Sequence, residues 1–355
     1  MAKILIKNGR IWDGNNFFFS DVLTDGKYIS KVEPQILDSA TYVFDASGKI
    51  VAPGLVDAHV HLRGISSEKY GIQAEIACFP FGATAAVDGG AMHGDRALLD
   101  SFMLKNLVFV AVDIKDNHAD FTKAEKKLAD YGDKAVGLKI YFDKDVPELR
   151  DITPLKETCC YARSRGLKVM VHATGQPVEM AELLAELAPG DILTHAFHGG
   201  TYTAADDDFK SMKEAQKRGV IIDAGFAGHI HTNFAVFRQA LDCGVIPDVI
   251  STDITKSSAY TRGGRFGLTM CMSMARTAGM AETDIFRAVT SKPAEVMGKA
   301  DQWGYLRAGA VADIAVLELA EDGFDLTDRV GNRLSDTHGY RCVLTVADGQ
   351  IVYKD

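Results

Sequence analysis

Two histidines two residues apart, His59 and His61, close the short apolar run Pro53-Gly54-Leu55-Val56-Asp57-Ala58-His59-Val60-His61. Alternate residues of a strand face the same side, so both imidazoles can converge on one point. A lone histidine at such a place is ordinarily a satisfied polar residue; a pair at this spacing serves equally well as metal ligands. Other apolar runs end in the same kind of residue. Leu167 to His172 and Asp191 to His195 each finish in histidine, and Asp248 to Asp253 finishes in aspartate. Imidazole and carboxylate suit a divalent ion such as zinc. A lysine, Lys139, lies inside another run, Val136 to Phe142. Burying an ammonium without a partner is costly. It either turns outward, pairs with a carboxylate or takes part in the chemistry.

The ends of distant runs must be brought together. Apolar runs begin near Leu55, Thr84, Val108, Val136, Lys168, Asp191, Val220 and Asp248, 23–32 residues apart. That interval fits a strand, a loop and a helix. Thr153-Pro154 supplies a cap and a first-turn proline, and Gly166 closes that helix. Pro177 to Leu187 also has apolar residues at helical spacing. Eight such units in about 250 residues predict an α/β fold, a (β/α)8 TIM barrel over residues 54–304, with function at the C-terminal strand ends. An open doubly wound sheet competes, but its Gly-rich dinucleotide turn is absent after the first strand. Both chain ends read instead as short strands divided by turns such as Asp13-Gly14, Asp25-Gly26 and Asp348-Gly349. Residues 1–53 and 305–355 are therefore expected to share a small β-sandwich domain.

Composition narrows the function classes. Of 355 residues, 39 are Lys or Arg and 48 Asp or Glu, a formal charge of −9 with no dense basic run. Nucleic acid is a poor partner for such a chain. The longest apolar run, Leu107 to Val112, is far short of the ~20 residues of a membrane helix, so no membrane partner is expected. Six cysteines, two adjacent at Cys159-Cys160 and none in a CxxC, suit reduced thiols and a cytoplasmic location.

Four histidines, one aspartate and one lysine at the ends of apolar runs resemble the amidohydrolase superfamily. The resemblance extends to the split β domain, to Ser291-Lys292-Pro293-Ala294, and to Gly304 through Gly309 and Asp313. In its binuclear members the HxH pair and a strand-eight aspartate bind one metal, two further histidines bind a second, and a lysine carboxylated by CO2 bridges them. The resemblance thus implies two divalent ions, zinc first and Mn or Co next. His59, His61, Lys139 and Asp253 would hold one; Lys139, His172 and His195 would hold the other. Carboxylation accounts for the lysine, since an ammonium has no acceptor to offer an ion. Two divalent ions against a carbamate, Asp253 and a hydroxide leave a net charge of about +1, suited to a developing oxyanion. The metals would activate a shared water, with Asp253 as general acid and base. A mononuclear site using fewer ligands is the lesser variant.

The substrate side is less defined. His59-Val60-His61-Leu62-Arg63 is similar to dihydroorotases, where the equivalent arginine holds the substrate carboxylate. Gly64-Ile65 then departs from that family's Pro-Gly turn, and Ile254-Thr255-Lys256-Ser257-Ser258 lacks its His-Ala-Pro string. The whole chain resembles more closely a deacetylase-type branch that cleaves N-acyl amino acids or acetylated hydroxy acids. A cyclic-amide hydrolase of the dihydroorotase or hydantoinase kind is the alternative, and a non-catalytic scaffold or binding barrel a minor one. Candidate contacts to a small acidic substrate are Arg63, Tyr141, Tyr260, Arg262 and Arg265, although each taken alone reads first as a structural or solvated loop residue. His198 and His231 are added as loop histidines, with His231 read as too far beyond its strand for the metal cluster. His93, His118 and His338 read as surface or loop positions. An assembly of identical chains is also expected.

Overall fold

The computed structural model describes residues 3–261 and 266–355. Along the chain, β1 (Ile4–Trp12), β2 (Phe17–Asp25), β3 (Tyr28–Glu33), β4 (Tyr42–Asp45) and β5 (Ile50–Pro53) come first. They are followed by β6 (Leu55–Val60), β7 (Ala83–Ala91), β8 (Lys105–Lys115), β9 (His118–Asp120), β10 (Ala135–Tyr141), β11 (Lys168–His172), β12 (Ile192–Thr194) and β13 (Ile221–Ile222). The chain closes with β14 (Ile314–Ala320), β15 (Phe324–Thr327), β16 (Arg333–Asp336), β17 (Gly339–Ala347) and β18 (Gln350–Lys354).

Every residue of β6 and β7 is buried. Parallel strands covered on both faces carry such continuous apolar runs, which is why the starts read from the sequence match the strands so closely. β6, β7, β8, β10, β11, β12 and β13 form a parallel sheet in that order. The eighth run is less regular. Asp223 bridges to Val249 on one side, and Val60 bridges to Ile254 on the other. Asp253 sits at φ +46°, outside the extended range, which interrupts the ladder and leaves isolated bridges in place of a strand. The result is TIM-barrel-like, and Val56, Val87, Phe109, Met170, Ile192, Ile221 and Val249 share one interior cluster.

The two ends do meet. Their strands lie in the order β18–β17–β14–β5–β1–β2–β3, with β4 also on β1. That pairing makes one hydrogen-bonded eight-stranded sheet from the two chain ends, in which β1 is long enough for β4 to pair with its start and β5 with its end. Asp348-Gly349 forms the hairpin turn between β17 and β18, with both residues at positive φ, the type I′ signature. The helix read from Thr153-Pro154 spans Thr153–Ser164, but Ile152 holds its cap position and Thr153 is already helical. Trp12 Nε1 donates to Thr290 Oγ1 at 2.9 Å and fastens the end sheet to the barrel.

Candidate metal centre

The end of β6 and the eighth run face one another. Asp253 Oδ1 lies 3.3 Å from His59 Nε2 and 2.9 Å from His61 Nε2. Their backbones are bonded as well, Asp253 N donating to His59 O at 2.7 Å. Each imidazole is held from behind. His59 Nδ1 is 3.1 Å from Thr194 Oγ1, whose hydroxyl donates to Asp223 Oδ2 at 2.7 Å. His61 Nδ1 is 2.9 Å from Ser66 Oγ, which donates to Asp88 at 2.9 Å. Each hydroxyl spends its proton on a carboxylate and so accepts from the ring, which assigns the imidazole proton to Nδ1 and leaves the Nε2 lone pair facing Asp253.

The backbone makes room for these rings. A Cβ at Gly89 would stand 2.1 Å from His59 Cδ2, and one at Gly90 would stand 2.4 Å from the Tyr141 hydroxyl. A larger residue at either position would displace the ring it faces.

Lys139 is fully buried, with Nζ 3.1 Å from His59 Nε2. Burial drives its pKa down to about 8 against the pull of Asp253, Asp223 and Asp88. Its neutral amine, the form able to add CO2, is therefore accessible near physiological pH.

A second set stands beside the first. Ring centroids of His172 and His195 are 4.5 Å apart, and His231 lies 4.4 Å from His195 and 5.2 Å from His172. His195 Nδ1 is fixed 2.6 Å from the carbonyl of Gly225. His195 Nε2 and His231 Nδ1 are buried with no hydrogen-bond partner. Burial lowers the pKa of all three rings, well below the ordinary value for His172 and His195. Neutral imidazoles with unused lone pairs are the donor chemistry of a divalent-ion site. In each triad, His59–His61–Asp253 and His172–His195–His231, the ligand atoms lie within 4.8 Å of one another. The donors present therefore fit such ions. The expectation for His231 is corrected here: the turn after β13 brings its ring back over His195. A cavity of about 430 Å3 opens over both triads.

A family model, that of the Amidohydrolase family, matches residues 50–352. The chain belongs to this family. A deacetylase of Enterococcus faecalis is 28% identical over 98% of this chain and 98% of its own length. A dihydroorotase of Anaeromyxobacter dehalogenans is 25% identical, covering 99% of this chain and 98% of its own. A crystal structure of a dihydroorotase superposes with a TM-score of 0.87 at 22% identity, covering 100% of both chains.

The substrate candidates divide around the cavity of this amidohydrolase. Tyr141 and His231 line it, as do Asp143, Thr174 and Asp253. His198 is buried with Gly200 N donating to its Nδ1, and it lines an adjoining hollow of about 190 Å3 instead. Arg63 is exposed and absent from the described lining. Strand alternation does not carry past His61, because β6 ends at Val60 and a turn in which Ser66 N donates to Leu62 O begins at once. Arg262 and Arg265 lie outside the described residues, as does the side chain of Tyr260 on the helix Lys256–Thr261. His93 and His118 are exposed.

Sequence reading missed Arg329, the sole Lys or Arg among the described lining residues. It sits between β15 and β16, at a turn pinned by the buried carboxylate of Asp328. That carboxylate accepts from Phe234 N at 2.9 Å, Val330 N at 3.0 Å and Asn332 N at 2.9 Å. It also missed Asp57, Ser66, Asp88, Thr194 and Asp223. Of these, Asp57 and the Asp88-Gly89-Gly90 string were legible as polar or small interruptions of apolar runs.

Proposed function

We propose that this amidohydrolase is a deacetylase, removing an acyl group, acetyl foremost, from the amide or ester of a small α-substituted carboxylic acid. The observation that carries the reading is the pair of adjacent ligand triads, sharing contact with Asp253, under a cavity whose one described cation is Arg329. The full-length likeness to a deacetylase supports the acyl specificity. On this reading His59, His61, Asp253 and a carboxylated Lys139 hold one divalent ion, and Lys139, His172 and His195 hold the other. Zinc suits these ligands first, with Mn or Co also compatible. Bound there, the ions would polarise the scissile carbonyl and acidify water.

The chain's own groups do the rest. Asp253 takes the proton of the attacking water and returns it to the leaving nitrogen or oxygen. A divalent ion bound beside it would favour the ionised form that a base requires. Arg329 attracts the substrate carboxylate. Tyr141, at the cavity wall, supplies a phenol donor to the acyl oxygen. Six free cysteines support a reducing, cytoplasmic setting; among the described residues no helix is long and apolar enough to cross a membrane.

A cyclic-amide hydrolase is the second reading, favoured by the dihydroorotase likeness over nearly the whole chain. Metal analysis of purified protein, with a hydrolysis panel of N-acetyl D- and L-amino acids, acetylated hydroxy acids, dihydroorotate and hydantoins, separates the two. The expected outcome is about two divalent ions per chain and turnover of the acylated acids. Turnover confined to the cyclic amides selects the second reading. Protein that binds no divalent ion removes both.

A further inference from the structure

We infer that His231 is itself a ligand of the second divalent ion, completing a three-imidazole set with His172 and His195. The inference rests on the metal reading given above and extends it to a residue on the turn after β13, outside the six strand-end positions.

Three independent observations carry it. The first is placement: the ligand atoms of His172, His195 and His231 all lie within 4.8 Å of one another. The second is the unspent hydrogen-bonding capacity of the cluster. His231 Nδ1 and His195 Nε2 are both buried without a partner. An orphaned ring nitrogen is costly to bury unless something takes up its lone pair, and His195 Nε2 and His231 Nε2 stand 3.8 and 3.7 Å from the same oxygen, Asp253 Oδ2, where a neighbouring neutral imidazole cannot serve both. A divalent ion can.

The third is how the backbone delivers the ring. Ala227, Gly228 and His229 all have positive φ, at 47°, 69° and 99°. Consecutive left-handed residues are strained unless their surroundings enforce them, and such strain gathers at functional sites. Here both flanks are clamped. Phe226 N and Ala227 N donate to Ser251 O and Thr252 O, next to Asp253, while Asn233 N donates to Phe197 O, next to the β12 histidine loop. The segment between them is held against the same two elements that carry Asp253 and His195.

The consequence is a second site built from three protein nitrogens with an open position, the usual form of a catalytic zinc site. Such a site keeps its ion whether or not Lys139 is carboxylated.

Cobalt substitution tests this directly. Apo-protein of the wild type, His231→Asn, His231→Cys and His172→Asn would be loaded with Co(II) and with Zn(II) against a chelator of known affinity. His231→Asn is expected to weaken one of the two ions by more than the roughly 10–100-fold that loss of an outer-shell partner causes. It should leave the other ion unchanged and match the ion lost in His172→Asn. In His231→Cys, cobalt should develop an intense near-ultraviolet thiolate charge-transfer band, which arises only from direct coordination at this position. The cysteine variant also answers the case in which the asparagine variant fails to fold, and apo-protein circular dichroism identifies that case. Two ions bound by His231→Asn with wild-type affinity and cobalt spectrum, together with a silent His231→Cys, would overturn the inference and make His231 a substrate contact. A wild type that binds no ion would instead overturn the metal reading beneath it.

Discussion

Thr252 donates a 2.6 Å hydrogen bond to Asp57 across 195 residues of sequence, and Thr252 N donates to the same carboxylate at 3.0 Å. Asp57 precedes His59, and Thr252 precedes Asp253. The bond therefore fixes the spacing between the two elements that must present the first triad. Burial raises Asp57 to about 7 in spite of these donors, so each donor matters. Thr252→Val removes the hydroxyl and keeps the shape. It should cost about 1–3 kcal/mol, the usual penalty for a buried polar group left unsatisfied. Urea unfolding of the apo-protein measures it. A loss under about 0.5 kcal/mol would show that the tether contributes little to the fold.

Ser66 stands between His61 and Asp88. Ser66→Ala leaves the ring without its anchor while the Nε2 face remains. Outer-shell losses of this kind typically weaken metal binding about 10–100-fold. Chelator competition should find that drop for the ion at His59–His61–Asp253 and not for the ion at the second triad. An equal drop at both would mean that the serine acts through general stability.

The strand-end residues were legible because parallel strands buried on both faces write themselves as uninterrupted apolar runs, so a His, Lys or Asp among them stands out. What surrounds those residues was not. His231 reaches the cluster only through three successive left-handed residues, a conformation that no periodicity encodes. Arg63 was singled out by the string it shares with dihydroorotases, and where it lies depends on β6 stopping at Val60, which no motif encodes. Arg329 depends on Asp328 meeting the start of the helix Phe234–Asp242, a contact between residues far apart in sequence. At the chain ends, texture identifies strands but not which edges join, so the placing of β5 between β1 and β14 was not legible.

His198 gives a pH test with a defined sign. Burial lowers its pKa from 6.5 to about 4 in the folded chain. Between those values the unfolded chain binds the extra proton, so this residue's contribution makes stability fall as pH drops through that window and level off below it. The loss at pH 5 relative to pH 8 is about 2 kcal/mol. His198→Asn should shrink the acid-induced loss by that amount in urea titrations of the apo-protein at the two pH values. Identical losses in wild type and variant would place the acid sensitivity elsewhere, in the triad histidines.

Arg329 and Arg63 offer opposing predictions for the substrate carboxylate. Arg329 lines the cavity with His231, Asp143 and Thr174, at a turn that Asp328 anchors by four hydrogen bonds. Arg63 is exposed outside that lining. A charge-assisted hydrogen bond contributes about 1.5–3 kcal/mol, so losing it lowers kcat/KM roughly 10–100-fold. Arg329→Met should show that loss on acylated acids and spare the matching neutral amides, with the change chiefly in KM. Arg63→Met should leave both substrate types near wild type. The comparison of acid with amide is what isolates the charge, because a displaced turn would slow both alike. Equal losses on the two substrates in Arg329→Met would reject a carboxylate contact there. A selective loss in Arg63→Met would return that role to the β6 end, by a movement of the loop that follows it.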